Sequence, residues 1–313
     1  MKSLGGFFEL DLGAGEHFQK NAIPLSSGRS CLRYLLEMKK PAKVYLPAFS
    51  CNSLISPLEE AKAPFDFYHF NSVFEIKSLP KLQQDEKILY INYFALKREY
   101  VKLLYGEFGS ALIVDNTQAF FENPIDGVDT FYSPRKFFGV SDGGYLYTDL
   151  RMSRDVPADS SMGRFQHLIG RLEGSPESFY EQYLKSENSL QGQPVKKMSR
   201  LTSEILRSLD YEGIAVKRQR NFWALNSGLP HRNRIRLEPP LDFVPMIYPF
   251  FSQNDALRSK LIASKIYTAQ YWAEARARLA GVELFFLQNL IPLPIDQRIT
   301  KEDLDRILDT VLK

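Results

Sequence analysis

Two short runs of almost uninterrupted apolar residues constrain the fold more than any other feature of the chain. They occupy residues 88–94 and 111–114. Strands with one face in water alternate apolar and polar side chains, whereas strands buried on both faces are apolar throughout. Buried strands of this kind occur in parallel sheets that helices cover on both sides. The two runs therefore predict an α/β fold with a mainly parallel sheet.

Helical and strand-like segments alternate over residues 26–148, as an α/β fold requires. Serines precede and lysines close a helical pattern of leucines over residues 29–39, an arrangement that suits the dipole of a helix. Two further strands are predicted at residues 129–132 and 145–148, on either side of a loop that contains glycines. We expect this part of the chain to form a sheet with helices on both faces.

The second half of the chain is more polar at first and then forms a separate pattern. A helical segment over residues 199–225, which Gly213 is expected to interrupt, leads to a shorter unit with a strand near residues 244–248. We therefore predict a large domain over residues 1–225 and a small C-terminal domain over residues 226–313.

Composition excludes several classes of protein. The 313 residues are 44% hydrophobic and 25% charged, which is typical of a globular chain and not of a disordered or fibrous one. Lys and Arg total 40 and Asp and Glu total 37, a balance that does not favour nucleic acid as a partner. The two cysteines and four histidines lack zinc-site spacing, so we expect no metal. Because no signal peptide and no apolar run of about 18 residues is found, we expect a cytoplasmic protein without a membrane span.

One short motif suggests a hydrolase. Gly139-Val140-Ser141-Asp142-Gly143 matches G-x-S-x-G, the nucleophile elbow of α/β-hydrolases, which requires a strand before the motif and a helix after it. Here Gly144-Tyr145-Leu146-Tyr147-Thr148 follows, and its alternation of tyrosine and leucine is typical of a strand. The order of elements therefore disfavours a hydrolase.

Two charged side chains lie where α/β folds bind their ligands. Asp115 follows the apolar run at residues 111–114, and ligands of open α/β sheets bind outside the carboxyl ends of the strands. The alternative is an aspartate that caps the next turn. Lys136 lies between a predicted strand and Phe137-Phe138, which predicts partial desolvation and a lowered pKa of its amine, as Schiff-base chemistry requires. The alternative is a surface lysine whose stem covers the two rings.

A third feature is the helix start at Ser27-Gly28-Arg29-Ser30. Backbone N–H groups and the positive end of the helix dipole converge there, and a glycine lets a phosphate approach closely. The alternative is a plain N-cap. Taken together, a phosphate cradle, a carboxylate for a pyridine nitrogen and a lysine for an aldehyde are the parts of one site, which predicts pyridoxal 5′-phosphate as the cofactor.

On these residues the chain resembles the DegT/DnrJ (StrS-type) family of sugar aminotransferases, which are fold type I pyridoxal-phosphate-dependent enzymes. The resemblance extends from Gly5-Gly6-Phe7-Phe8-Glu9-Leu10 to Leu293-Pro294-Ile295 and is densest over residues 27–148. It implies the fold type I transferase architecture, in which a large α/β/α domain with a mainly parallel sheet is joined to a smaller C-terminal α+β domain.

The resemblance also implies roles for residues at the cofactor. Ser27-Gly28-Arg29-Ser30-Cys31-Leu32 is similar to the phosphate turn of the family, so Gly28, Arg29 and Ser30 are expected to hold the phosphate. Leu46-Pro47-Ala48-Phe49-Ser50-Cys51 is similar to the segment that covers the cofactor ring. Many relatives have an aromatic residue at position 51, so either Phe49 or Cys51 is expected to cover the ring here.

Two more segments complete this comparison. Asp115-Asn116-Thr117-Gln118 is similar to Asp-Ala-Ala-Gln/His of the family, which implies that Asp115 pairs with the pyridine nitrogen and Gln118 contacts the phenolic oxygen. Lys136 aligns with the Schiff-base lysine. Many relatives have a phosphate-binding serine five residues earlier, where this chain has Phe131, and Ser133 is expected to serve instead.

The activity implied by the resemblance is transfer of an amino group, from glutamate, to a nucleotide-linked keto-sugar for a polysaccharide or glycosylated metabolite. A homodimer with a shared active site is implied as well. Some relatives have histidine in place of the lysine and are sugar dehydratases, a branch that Lys136 argues against. Two alternatives remain: the same cofactor on a non-sugar substrate, and a non-catalytic homologue that serves as a binding module.

One basic segment lies outside these motifs. Arg232, Arg234 and Arg236 alternate, so on a strand they would share one face and could bind a diphosphate through bidentate hydrogen bonds. The alternative is a solvated edge.

Overall fold

The computed structural model describes residues 4–229, 231–235 and 237–313. The first part of the chain alternates strands and helices as the apolar runs predict. Its elements are β1 (Ile23–Leu25), α1 (Gly28–Lys39), β2 (Lys43–Pro47), α2 (Asn52–Ala61), β3 (Phe65–Tyr68), β4 (Glu86–Ile91), α3 (Arg98–Phe108), β5 (Leu112–Asp115), β6 (Asp129–Tyr132) and β7 (Gly144–Tyr147).

The second part is mainly helical. Its elements are α4 (Gln166–Glu173), α5 (Tyr180–Asn188), α6 (Arg200–Arg207), α7 (Tyr211–Gly228), β8 (Tyr248–Phe251), α8 (Leu257–Ala263), α9 (Val282–Asn289), β9 (Leu290–Leu293) and α10 (Lys301–Leu312). Within the described residues, no helix is both long and apolar enough to cross a membrane.

In the part of the chain that the structure describes, seven strands form one sheet in the order β1-β7-β6-β5-β4-β2-β3. The pairs from β3 through β2, β4 and β5 to β6 are parallel, whereas β7 pairs antiparallel with both β6 and β1. The predicted α/β fold with a mainly parallel sheet is therefore confirmed. Because β2, β4, β5 and β6 are parallel, the loops that follow them meet at one edge of the sheet, the edge where ligands of such folds bind.

The central strands of the sheet are buried on both faces. Side chains of β4 and β5 are no more than 2% exposed from Ile88 to Ile91 and from Leu112 to Val114, as continuous apolar strands require. Helix α1 packs on this sheet through leucines spaced three to four residues apart, and its leucines 32, 35 and 36 are buried. Each such side chain contributes about 1.5–3 kcal/mol when fully buried, so this packing stabilises the sheet that carries the site.

The break in the long helical segment lies before Gly213 and not at it, which corrects the expectation. Helix α6 ends at Arg207 and α7 begins at Tyr211. The carboxylate of Asp210 accepts a hydrogen bond of 2.9 Å from Gly213 N, which makes Asp210 the N-cap of α7. A Cβ at position 213 would lie 2.1 Å from that carboxylate, so the glycine belongs to the cap.

The strand expected near residues 244–248 is also displaced, because β8 begins only at Tyr248. The buried guanidinium of Arg218 donates to the carbonyl oxygens of Pro245 (3.2 Å) and Met246 (3.1 Å). Burial lowers the pKa of Arg218 to about 10. These two carbonyls therefore bind a side chain from α7, and ladder pairing starts after them, between Tyr248 and Leu293 of β9.

A second hydrophobic cluster surrounds β8 and β9. It contains Phe222 and Leu225 from α7, together with buried residues of α8 and α10. It also includes Ala95 and Ala119, which follow strands of the large sheet, so this cluster extends to the edge that carries the site. A division near residue 225 falls within α7, and we retain the two-domain division as a proposal.

Candidate active site

Asp115 and Lys136, the two residues on which the sequence interpretation depends, are joined by one residue, Thr117. Asp115 ends β5, and its Oδ1 accepts a hydrogen bond of 2.8 Å from Thr117 N. The hydroxyl oxygen of Thr117 accepts a hydrogen bond of 2.8 Å from Lys136 Nζ. Thr117 was not predicted as a site residue, although it lies within the motif that contains Asp115 and Gln118. The structure therefore brings the predicted acid and the predicted lysine to one place.

The environment of Lys136 differs from the expected one. Lys136 ends the 3₁₀ turn Pro134–Lys136 and is exposed, so the predicted desolvation by its aromatic neighbours is wrong. The rings of Phe137 and Phe138 are 2% and 6% exposed and point into the core, where Phe138 packs edge-on against Phe120. These rings are part of the core and leave the amine open to solvent and to a ligand.

Asp115 has the opposite environment, because it is 3% exposed. Burial raises its pKa, while the positive charge of Lys136 and the hydrogen bonds from Thr117 oppose that rise. Within the described residues, Asp115 has no ion-pair partner within 4 Å. A buried carboxylate of this kind would be stabilised by a cationic group that binds beside it.

The N-terminus of α1 adjoins Thr117 from another direction. Ser27 caps the helix by accepting a hydrogen bond of 3.1 Å from Ser30 N, and the hydroxyls of Ser26 and Ser30 are 2.8 Å apart. A Cβ at Gly28 would lie 3.4 Å from the methyl group of Thr117, so the first turn of the helix packs closely on the site. The predicted phosphate turn is therefore next to the predicted acid and lysine.

The guanidinium of Arg29 is only partly satisfied. One terminal nitrogen donates a hydrogen bond of 2.5 Å to Ser53 Oγ, whereas the buried Nε has no partner among the described residues. Burial lowers the pKa of Arg29. A buried donor without an acceptor costs about 1–3 kcal/mol, so an anion at this position would remove a cost that the protein now bears.

The two residues expected to cover the cofactor ring have different surroundings. Phe49 is fully buried and packs edge-on against Trp272, with ring centroids 4.7 Å apart. Its carbonyl accepts a hydrogen bond of 2.5 Å from the hydroxyl of Tyr93. Cys51 is partly exposed and immediately precedes α2. Of the two, only Cys51 has surface available to a ligand in this structure.

Arg278 fixes this loop from the C-terminal part of the chain. Its guanidinium donates to the carbonyl of Ala48 at 2.9 Å, to Asn52 Oδ1 at 3.1 Å and to the carbonyl of Ser50. It also lies over the ring of Phe67, 5.2 Å from the centroid. A residue remote in sequence therefore sets the position of the segment expected above the cofactor.

Backbone strain lies at the same edge of the sheet. Phe94 and Ala95, which follow β4, have φ values of 57° and 65°, in the left-handed region that residues with a Cβ seldom occupy. The side-chain oxygen of Gln118 accepts a hydrogen bond of 3.0 Å from Phe94 N and holds this turn. Such strain is concentrated at functional sites, and here it lies beside the predicted Gln118.

The glycine loop before β7 is not a nucleophile elbow. Strand β7 follows Gly139–Gly143 directly, and Ser141 is only 1% exposed. Asp142 accepts hydrogen bonds of 2.8 Å from both the backbone N and the hydroxyl of Ser199, the N-cap of α6. The motif therefore joins the sheet to α6, and the hydrolase reading is wrong.

Ser133 lies between β6 and the turn that carries Lys136, and it is buried with 7% exposure. Phe131, which occupies the position of the usual phosphate-binding serine, is 1% exposed within the sheet. The position of Ser133 is compatible with the expected substitution, which remains a prediction.

The basic segment lies away from this site. Arg232 is in a turn and Arg234 in a bend, so the strand that would align their side chains is absent, and Arg236 lies outside the described residues. Arg232 and Arg234 line a cavity of about 630 Å³ with His231, Ser252 and Asn254. Neither Asp115 nor Lys136 lines this cavity. Across the residues that are described, no group of three or more His, Cys, Asp or Glu is arranged to hold a metal ion.

Comparison with solved structures identifies the fold. A DegT DnrJ EryC1 StrS aminotransferase from Brucella abortus has a TM-score of 0.60 at 15% identity, with 93% of this chain and 85% of that chain covered. The sugar aminotransferase CalS13 from Micromonospora echinospora has a TM-score of 0.65 at 12% identity, covering 93% and 86%. NtdA from Bacillus subtilis, solved with bound cofactor PMP, has a TM-score of 0.65 at 15% identity, covering 93% and 72%.

No family model matches the chain, and no curated protein is significantly similar to it. The resemblance to these enzymes is therefore carried by the three-dimensional structure. It extends over nearly the whole chain, and it confirms the fold type I architecture that the sequence motifs imply. The chain has the fold of the DegT/DnrJ/StrS-type aminotransferases.

Proposed function

We propose that the protein is a pyridoxal-phosphate-dependent aminotransferase of the DegT/DnrJ/StrS type. One observation carries this proposal: Thr117 is hydrogen-bonded to both Asp115 and Lys136 at the carboxyl edge of a sheet with the aminotransferase fold. A buried acid and an accessible lysine held by one residue are the two groups that a pyridoxal cofactor requires of its protein. Retention of both groups favours an enzyme over a non-catalytic binding module.

The described residues fit this cofactor at each of its polar ends. Gly28, Arg29 and Ser30 would hold the phosphate, with the unpartnered Nε of Arg29 as a donor that lacks an acceptor. Asp115 would pair with the protonated pyridine nitrogen, a cationic partner that this buried carboxylate lacks among the described residues. Lys136 would bind the aldehyde, and Gln118 would contact the phenolic oxygen. Ser133 would contact the phosphate, and Cys51 or Phe49 would cover the face of the ring.

When bound, pyridoxal phosphate supplies an electron sink for the carbanion that forms at the donor's α-carbon. The protein contributes in two ways: it keeps the ring nitrogen of the cofactor protonated, and it moves the proton that leaves the α-carbon. The Asp115 carboxylate holds the proton on the ring nitrogen. Lys136 Nζ, positioned by Thr117 Oγ1, accepts the proton that the α-carbon loses and later returns it, as a general base and acid.

The substrates proposed are glutamate as amino donor and a nucleotide-linked keto-sugar as acceptor. The sugar assignment is supported by CalS13, a sugar aminotransferase with this fold. The alternative within the same chemistry is a non-sugar acceptor. We further propose a cytoplasmic location, since a nucleotide-linked sugar is a soluble metabolite.

The donor half of the reaction can be tested without knowing the acceptor. We expect that protein loaded with pyridoxal phosphate and mixed with glutamate releases about one 2-oxoglutarate per active site, because the amino group stays with the protein when no acceptor is present. The measurement is 2-oxoglutarate by a coupled assay after rapid filtration. If cofactor is bound but none of the twenty amino acids yields its oxo-acid, the binding-module alternative replaces this proposal.

We also propose a homodimer that completes the active site. The segment over residues 4–12 is largely apolar and exposed: Phe7 is 99% and Phe8 is 93% exposed, and Leu4 and Leu10 are exposed as well. Monomeric proteins seldom expose such a patch, and Lys136 is open in the single chain. Sedimentation at micromolar concentration should therefore show a dimer, and Phe7→Ser with Phe8→Ser should weaken it. A wild-type monomer with full cofactor occupancy would contradict the shared site.

A further inference from the structure

Three arginines from separate segments each have a buried Nε without a hydrogen-bond partner among the described residues. They are Arg29, Arg135 and Arg164. Their side chains are otherwise held: Arg135 donates to Glu187, and Arg164 donates to Asp159 Oδ2 at 2.6 Å. Each guanidinium is therefore fixed at one end and unsatisfied at Nε. An unmet buried donor is costly, and three of them in one region require an explanation.

Hydrogen bonds attach the turn that carries Arg164 to the start of α1, which carries Arg29. Ser199 Oγ donates to Asp142 at 2.8 Å and lies 2.7 Å from Ser161 Oγ, and the carbonyl of Ser161 accepts from Arg164 N at 2.8 Å. The turn that carries Arg164 is thus attached to the glycine loop. The same loop is attached to the start of α1, because Gly143 N donates to the carbonyl of Ser26 at 2.6 Å.

Electrostatics agree with this proximity. Burial, with smaller contributions from the positive charges of Arg29 and Arg164, lowers the pKa of Arg135 to about 10, while Tyr183 and Asp142 oppose the fall. The side chains of Arg135 and Arg164 are 16% and 13% exposed, so water screens their repulsion only in part. Like charges held together in this way are stabilised by an anion that binds between them.

Two buried hydroxyls without partners among the described residues lie next to acidic residues that interact with Arg135. Ser141 precedes Asp142 in the glycine loop and is 1% exposed, and Ser186 precedes Glu187 in α5 and is 3% exposed. Hydroxyls, like guanidinium groups, can donate hydrogen bonds to phosphate oxygens. Of these five groups without partners, three are guanidinium donors and two are hydroxyls that can also donate. A ligand that satisfies them must therefore supply several acceptor oxygens.

We propose that Arg29, Arg135 and Arg164 form one anion site that binds a phosphoryl group, with Ser141 contributing a hydroxyl. The choice of ligand rests on the proposed function, which supplies two sources of this chemistry: the phosphate ester of the cofactor and the diphosphate of a nucleotide-linked substrate. Arg135 adjoins Lys136 in sequence, so the turn that carries the lysine also carries an arginine that would bind the phosphate. With Phe131 in the position of the usual serine, these arginines would add to the phosphate contact already proposed for Ser133.

The experiment measures binding of four probes to the purified full chain by calorimetry: pyridoxal phosphate, pyridoxal, inorganic phosphate and uridine diphosphate. Arg135→Gln and Arg164→Gln are each expected to raise the dissociation constant for inorganic phosphate about ten- to a hundredfold, the effect of one lost charge-assisted hydrogen bond. Arg29→Ala should do the same. If the variants bind pyridoxal phosphate more weakly but bind pyridoxal as the wild type does, the site holds the phosphate of the cofactor. If only the binding of uridine diphosphate is weakened, the site holds the diphosphate of the substrate.

Glu187→Gln is the matched control, because it removes the carboxylate partner of Arg135 and leaves the guanidinium. An anion site predicts unchanged or tighter phosphate binding in Glu187→Gln, whereas a merely structural Arg135–Glu187 pair predicts the same loss in both variants. Equal losses in Glu187→Gln and Arg135→Gln would overturn the proposal. So would wild-type affinity for all phosphate probes in folded Arg135→Gln and Arg164→Gln. If the wild type never binds pyridoxal phosphate, the proposed function fails, while the inorganic phosphate and uridine diphosphate results still decide this site.

Discussion

Lys136→Ala should abolish release of 2-oxoglutarate from glutamate, with a rate loss of at least about a thousandfold, while pyridoxal phosphate stays bound. The loss combines the general base, worth about 10²–10⁴, with the covalent attachment of the cofactor. Binding should persist because the phosphate turn of α1 and Asp115 do not depend on the lysine. The measurements are single-turnover 2-oxoglutarate release and the dissociation constant of pyridoxal phosphate.

Lys136→Arg is the control for charge. Arginine keeps a cation beside Thr117 and Asp115, but its guanidinium does not give up its proton in proteins and cannot serve as a base. We therefore expect Lys136→Arg to be as inactive as Lys136→Ala. Appreciable turnover in either variant would show that another group moves the proton.

Asp115→Asn should lower the rate of the donor half-reaction by about 10²–10³, the usual effect of removing one preorganised electrostatic partner. Without the carboxylate the ring nitrogen loses its proton and the cofactor becomes a poor electron sink. The amide has nearly the same shape, so the fold and the hydrogen bond to Thr117 should be retained. A rate within a few-fold of the wild type would contradict the assigned role of Asp115.

The same variant has a second readout in the protein without cofactor. Burial raises the pKa of Asp115 above its ordinary value of about 3.9, so the folded state binds this proton more tightly than the unfolded state does. The contribution of this group to the free energy of unfolding therefore falls as the pH rises from the pKa of Asp115 in the unfolded state to its higher pKa in the folded state. Asp115→Asn should be at least as stable as the wild type at pH 7 without cofactor, and should gain less stability when cofactor is added.

Much of this site follows from local sequence signals. Continuous apolar runs predict buried strands, and a serine before a leucine pattern predicts a helix with its cap, because both signals depend on neighbouring residues alone. Asp115 and Lys136 could be placed since each lies just past a strand of that sheet. The strand β1 and helix α4 were not predicted, because short or polar segments carry little periodicity.

The contacts that the sequence does not reveal are those between segments far apart in the chain. Arg218 binds the carbonyls before β8 and so delays the strand, and Asp142 accepts hydrogen bonds from Ser199, the N-cap of α6, across 57 residues. Thr117 joins acid and lysine, yet a threonine has no periodicity or charge that would mark it. The exposure of Lys136 was missed for the same reason: the two adjacent phenylalanines pack into a core that only the tertiary fold creates.

The most direct test of the proposed function is to locate the covalent attachment of the cofactor. Protein incubated with pyridoxal phosphate should become yellow, and borohydride reduction should fix the cofactor on the tryptic peptide of residues 136–151, whose only lysine is Lys136. Mass spectrometry should find this label in the wild type and not in Lys136→Ala. Label on another lysine, or no uptake of the cofactor at all, would contradict the proposed aminotransferase.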